Sequence, residues 1–233
     1  MTLAERTLAP DDLRAKISYE DHLDFAEVCP YNVEYFNGEV VSMSQASLLH
    51  ESLVSRLNTI LINLFDDDDQ LEVFSSNIKI EVLATGDSFN ADVSIVAGEP
   101  DYLRLKSGLP STTAITNPVL VVEVLSESTM AFDLGDKLES YKQIPALQQI
   151  LFVGMDKPWV SSCVRADAPG WLNMSFHALT DSVQVLSRSA SLAGYLQKSQ
   201  ICLNTRLPLA ADHFPPFFPK FGPKTTRFVR QIA

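Results

Sequence analysis

Apolar and polar positions along this chain fall into a sequence of short, well-separated elements. Ser18-Tyr19-Glu20-Asp21 reads as a helix cap with acids in the first turn, leading a short helix through Phe25 and Ala26 that Pro30 stops. Val33 to Phe36 and Val40 to Met43 flank Asn37-Gly38, which predicts a tight β-hairpin. From Ser47, the spacing of Leu49, Leu53, Leu57, Ile60, Leu61 and Leu64 is helical, and the helix ends in the acidic run Asp66 to Asp69. That run reads as a solvated loop.

Val73 to Val82 reads as one strand, and Asn90-Ala91-Asp92 leads into another over Val93 to Val96. Residues 98–117 read as a polar loop or short helix. Val119 to Val122 is a β-rich apolar run of the kind buried on both faces of a sheet. It continues through Glu123, Val124 and Leu125 into a polar turn. Asp133 to Asp136 then opens a helix on which Leu134, Leu138 and Tyr141 recur at helical spacing, with Lys137 beside that stripe. Ile150 to Val153 makes a further buried strand. Val160 to Val164, Leu172 to Leu179 and Val183 to Leu186 suggest antiparallel strands, and residues 191–197 a short helix or turn. The order predicts an α/β fold: an αβββαβ core with a mixed central sheet flanked by helices, preceded by a β-hairpin and followed by a small β appendage. No internal repeat and no linker appears before the Pro- and Phe-rich tail. The chain is therefore read as one domain over 1–207, core about 17–157, with a tail over 208–233.

Composition narrows the class. With 46% apolar and 20% charged residues the chain has the make-up of a soluble globular protein. A net charge of −11 argues against nonspecific coating of nucleic acid or anionic membrane, though a local basic groove is compatible with an acidic body. Cys29, Cys163 and Cys202 are odd in number and have neither metal-ligand nor disulfide spacing, which fits a reducing cytoplasm. No apolar run approaches the length of a membrane span, and the N-terminus carries no signal pattern. A cytoplasmic location with no membrane partner is the expectation.

The chemistry concentrates at Glu123. A carboxylate inside a buried strand is costly unless it is paired or bound to a metal. Asp92 before one strand, Glu123 near the end of the next and Lys137 on the following helix form a set that only tertiary folding can assemble. Two carboxylates can hold a hard divalent cation that keeps several waters, and a nearby lysine can stabilise developing negative charge. The alternative for Glu123 and Lys137 is a glutamate at the mouth of a core strand and a lysine snorkelling along an amphipathic helix.

With these residues in view the chain resembles the PD-(D/E)XK nuclease superfamily and, within it, the bacterial restriction-endonuclease-like family known as Uma-two, a domain of unknown function. Val33 to Glu39 (VEYFNGE) matches that family's Y-E-L-I-D-G-E hairpin, keeping Glu34, Gly38 and Glu39. His50 matches a histidine that opens a helix. Asn90 to Val93 matches Q-P-D-L, Val121 to Thr129 matches V-V-E-I-L-S-P-S-T, and Asp133 to Tyr141 matches D-L-G-E-K-L-x-x-Y.

The resemblance covers roughly residues 17–157. It implies a restriction-endonuclease-like fold and Mg²⁺- or Mn²⁺-dependent hydrolysis of DNA phosphodiesters, with Asp92 and Glu123 as metal ligands. Leu125 stands where the superfamily places its lysine, so Lys137 is the implied lysine and Glu34 an additional acid; Lys79, read on a strand that can face the cleft, is the runner-up for the lysine. Ala91, Asn37 and Phe132 depart from a usual proline, aspartate and arginine, and losing an arginine weakens a phosphate-binding argument.

Other readings remain open. Glu34 also reads as the polar member of an alternating hairpin face, and His50 as a cap or hydrogen-bonding residue. Residues 214–230 also read either as a contact for a nucleic-acid backbone or as a flexible or oligomer-wrapping terminus. The function expected is a metal-dependent endodeoxyribonuclease acting as a homodimer. The alternative is a catalytically weak module of the same fold that binds nucleic acid or a protein.

Overall fold

The computed structural model describes residues 14–30, 32–43, 46–167 and 170–192. The tail over 208–233, Cys202 and most of the helix or turn expected over 191–197 lie outside the described residues.

Two sheets carry the architecture. The first has seven strands in the order β1 (Arg14–Lys16), β3 (Glu39–Ser42), β2 (Val33–Phe36), β6 (Asp87–Asn90), β5 (Lys79–Val82), β9 (Pro110–Ile115), β8 (Tyr102–Arg104). The second has six, in the order β13 (Trp171–Phe176), β12 (Val160–Arg165), β11 (Gln149–Gly154), β10 (Pro118–Leu125), β7 (Val93–Ala97), β4 (Leu71–Ser75). In the second sheet β10 runs antiparallel to β7, with Val122 opposite Val93, and parallel to β11, with Glu123 opposite Phe152. The expected neighbours are therefore joined in one mixed sheet.

Helices cover this sheet on both faces. Helix α2 (Leu48–Phe65) starts at Ser47, whose side chain accepts the His50 N–H. It buries Leu53, Val54, Leu57, Leu61 and Phe65 against Val93, Ile95, Leu120, Val122 and Val124. Each such side chain contributes about 1.5–3 kcal/mol when fully withdrawn from water. The small hairpin of β14 (Ser182–Val185) and β15 (Arg188–Ser191) lies on the same side, adding Val183, Val185 and Ala190 to that core. On the opposite face, Val121, Leu125, Ile150 and Phe152 meet Ile80, Val82 and Phe89 from the first sheet, together with Tyr141 and Ile144. Helix α1 (Tyr19–Val28), capped by Ser18, covers the first sheet through Leu23 and Ala26.

The order α2, β4, β7, β10, the helical segment over 130–141 and β11 is the αβββαβ core, with a hairpin before it and a β appendage after it. The fold is a restriction-endonuclease-like mixed α/β fold. Three details depart from the sequence reading. Val73 to Val82 is not one strand: a turn closed by Ile78 N–H on Ser75 C=O sends β4 and β5 into different sheets. The segment over 98–117 forms β8 and β9 at the far edge of the first sheet. The helix expected from Asp133 is built of a short α3 (Met130–Phe132), a π-helical stretch over Asp133–Lys137 and a short α4 (Leu138–Tyr141). The π stretch turns Asp133 and Lys137 inward and leaves Leu134 exposed, so Leu134 drops out of the predicted apolar stripe.

Candidate active site

The chain crosses from the first sheet to the second between Asn90, which ends β6, and Val93, which starts β7. Asp92 lies in that crossing. Its Oδ2 accepts the Val124 N–H at 2.7 Å, which ties the crossing to the residue after Glu123 on β10. His50 Nε2 lies 3.3 Å from the same oxygen, carried there by the first turn of α2. Asp92 raises the His50 imidazole above its ordinary value through this hydrogen bond, against the opposing effect of burial.

Glu123 sits one position before Val124 and alternates to the other face of β10, beneath the π-helical stretch. Lys137 Nζ reaches Glu123 Oε1 at 3.0 Å, Glu34 Oε1 at 2.9 Å and Asp133 Oδ1 at 3.6 Å. The ammonium also lies 5.4 Å from the centre of the Phe89 ring and 5.9 Å from that of Tyr141. Tyr141 donates its hydroxyl to Glu123 Oε1 at 2.8 Å. Glu34 comes from the hairpin, where Asn37 and Gly38 take the positive φ values of 49° and 82° that the tight turn requires. Its Oε1 also accepts the Asn90 N–H at 3.3 Å.

The floor and mouth of the cluster differ in exposure. The side chains of Lys137, Glu123 and Asp133 are 4%, 6% and 8% exposed, whereas those of Asp92, Glu34 and His50 are 12%, 16% and 17% exposed. Burial pushes the Glu123 carboxyl up to about 8; Lys137 opposes this, and Asp92, Asp133 and Glu34 reinforce it. Burial likewise raises Asp133, with Lys137 opposing. For Lys137, burial favours the neutral amine, but Glu123, Glu34 and Asp133 together outweigh it and hold the ammonium well above its ordinary value. The cluster thus gathers Glu34, Glu123 and Asp133 around a single ammonium, with Asp92 near enough to act on Glu123, more carboxylate than that charge can neutralise.

Of the residues singled out from the sequence, Asp92, Glu123, Lys137 and Glu34 come together, and His50 joins them. Lys79 does not. It is buried on β5 in the first sheet, where its charged neighbours are Glu81 and Glu27. Asp133 and Tyr141 also belong to the cluster, although the sequence presents them as a helix opener and a core residue. Their positions four residues either side of Lys137 were the available signal. Phe132, at the place of the missing arginine, packs edge-on against Phe36 at 5.2 Å and closes an apolar wall beside the cluster.

Carboxylate oxygens in excess of local positive charge suit a hard divalent cation, so the donor set fits Mg²⁺ or Mn²⁺. Among the described residues no three His, Cys, Asp or Glu side chains are arranged to hold a metal ion by themselves. A two-carboxylate site completed by water and phosphate oxygens needs no such trio. A cleft of about 450 Å³ lined by Glu81, Thr116, Asn117 and Gln143 opens elsewhere and includes none of these residues.

Fold and cluster together define a nuclease-like α/β protein. The family Uma2, described as "Putative restriction endonuclease", matches residues 20–195, and the chain belongs to this family. Two relatives in Synechocystis sp. (strain ATCC 27184 / PCC 6803 / Kazusa) are similar in sequence. The uncharacterized protein slr1290 is 33% identical over 178 residues, covering 76% of this chain and 89% of its own. The uncharacterized protein sll1609 is 32% identical over 133 residues, covering 57% and 72%. A crystal structure described as a putative nuclease belonging to DUF820 from Anabaena variabilis ATCC 29413 superposes with a TM-score of 0.63. At 15% identity, over 78% of this chain and 99% of that one, the likeness is one of fold. Among the described residues no helix is long and apolar enough to cross a membrane.

Proposed function

We propose that the protein is a divalent-metal-dependent endonuclease that hydrolyses DNA phosphodiester bonds. The observation that carries this reading is the excess of carboxylates around Lys137 at the crossing between the two sheets. Asp92 and Glu123 would hold Mg²⁺ or Mn²⁺. When bound, such an ion lowers the pKa of a water and offsets charge on the phosphate. Val124 and His50 engage Asp92 through Oδ2, and Lys137 and Tyr141 engage Glu123 through Oε1; among the described residues these contacts leave the second oxygen of each for the cation. Lys137, one hydrogen bond from Glu123, places a permanent positive charge where negative charge develops on the phosphate oxygens. Glu34 and Asp133 orient that ammonium. We further propose that the enzyme acts in the cytoplasm as a homodimer.

A second reading has its own support. Phe132 stands where the family pattern has an arginine, its ring packs edge-on against apolar neighbours, and the chain carries a net charge of −11. This favours a nuclease-fold module that binds nucleic acid or a protein partner with little catalysis. A plasmid-nicking assay with and without Mg²⁺ or Mn²⁺ separates the two. Metal-dependent nicking that Asp92→Asn abolishes supports the enzyme. Absence of nicking in millimolar Mn²⁺ leaves the binding module.

A further inference from the structure

Tyr141 is fully buried, and its ring meets Phe89 edge-on at 5.3 Å within the core that joins the two sheets. Such a tyrosine could serve for packing alone, but its hydroxyl is not spent on backbone. It lies 2.8 Å from Glu123 Oε1, the same oxygen that Lys137 Nζ approaches at 3.0 Å. Asp133, Lys137 and Tyr141 stand at successive four-residue steps on one face of the helical segment, and all three direct polar atoms at the same carboxylate cluster.

We propose that Tyr141 is a positioning residue whose hydroxyl, with Lys137, fixes Oε1 of Glu123 and so leaves the other oxygen of that carboxylate to a divalent cation. The inference rests on the proposed reading of Glu123 as a metal ligand. A carboxylate whose Oε1 is held by two donors loses little freedom when a cation arrives. One held only by Lys137 can rotate, because the ammonium is shared with Glu34 at 2.9 Å. Partners that orient a ligand in this way are typically worth 10–100-fold in metal affinity.

The test uses the full chain and Mn²⁺ as the probe, with calorimetry for affinity, nicking rate against Mn²⁺ concentration, and thermal melting. Tyr141→Phe keeps the ring and removes the donor. It should weaken Mn²⁺ binding about tenfold and raise the Mn²⁺ concentration for half-maximal nicking by the same factor. The rate at saturating Mn²⁺ should stay within roughly threefold of the parent. Ile144→Val, which perturbs the same core without reaching Glu123, should lower the melting temperature and leave Mn²⁺ affinity unchanged. Glu123→Asp withdraws the carboxylate from Tyr141, so adding Tyr141→Phe to it should cost little more.

Parent-like Mn²⁺ affinity in Tyr141→Phe, while Asp92→Asn abolishes binding, overturns the positioning role and spares the metal site. Equal weakening by Ile144→Val, or additive losses in the double variant, overturns it in favour of packing. If the parent itself binds no Mn²⁺, the metal reading and this inference fall together.

Discussion

Lys137 and the carboxylates around it divide the work of the proposed site between charges that hold a cation and a charge that acts on the substrate. Hard cations require anionic oxygens, so Asp92→Asn or Glu123→Gln should lose both Mn²⁺ affinity and cleavage. Lys137→Ala should instead lower turnover by about 10²–10³, the usual cost of removing one preorganised charge, while Mn²⁺ binding weakens by only about tenfold because Tyr141 still holds Glu123 Oε1. Lys79→Ala should leave cleavage intact, because its surroundings are Cys29, Glu27 and Glu81 and not the cluster. Calorimetry and nicking rates on these four variants check the assignment. Loss of cleavage in Lys79→Ala with retention in Lys137→Ala would reverse it. At this scale the sequence made Asp92, Glu123, Lys137 and Glu34 legible because each sits in a distinctive block. Asp133 escaped because an acid at the start of a helix already has a local reason to be there. Tyr141 escaped because a tyrosine at helical spacing is read as core, and here it is both core and donor.

Elements were legible where the apolar pattern was long and the turn chemistry explicit. The Asn37-Gly38 hairpin, α2 behind its Ser47 cap, and the buried runs of β10 and β11 follow directly from such patterns. The division of Val73 to Val82 left a weaker mark: the polar run Ser75-Ser76-Asn77 breaks the apolar alternation and shifts its phase from Val73 to Ile78, Ile80 and Val82, where the partners change from one sheet to the other. Strands β8 and β9 were hidden because their pairing lies at a sheet edge, where exposed polar residues carry no period.

Helix α1 offers a pH test of how its contact with the first sheet is built. His22 is fully buried, stacked on Tyr35 at 4.6 Å, and among the described residues neither ring nitrogen has a hydrogen-bond partner. Burial, then Lys79, pushes its imidazole down to about 4 from an ordinary 6.5. Between those values the unfolded chain binds more protons, so the stability contributed by neutral His22 is complete above pH 6.5. It is lost as pH falls toward 4, at up to about 1.4 kcal/mol per unit. Glu81 slopes the other way: burial raises it from 4.5 to about 7, so its contribution is complete below pH 4.5 and lost as pH rises through 7. His22→Phe isolates the first term. Its melting temperature should fall less than the parent's between pH 6.5 and 4, and identical falls in both proteins would refute the account.

At the scale of the whole molecule, the question is how one site per chain would cut a duplex. The two strands of DNA are related by two-fold symmetry, and a single cluster of Asp92, Glu123 and Lys137 can address one strand at a time. A two-fold dimer supplies the second cluster in matching orientation. The described surface offers apolar material for such a contact on β13, an edge strand of the six-stranded sheet, where Leu172 and Met174 are 61% and 44% exposed. Strand edges of this kind present unpaired backbone groups as well as apolar side chains, and both favour association with another strand. Light scattering at micromolar concentration should therefore give a mass near twice the 25.8 kDa of one chain. Leu172→Lys with Met174→Glu should shift the species toward monomer, and double-strand cleavage should fall while nicking persists. A monomeric parent would remove the dimer from the proposal and leave the proposed site at the crossing of the two sheets to address one strand per encounter.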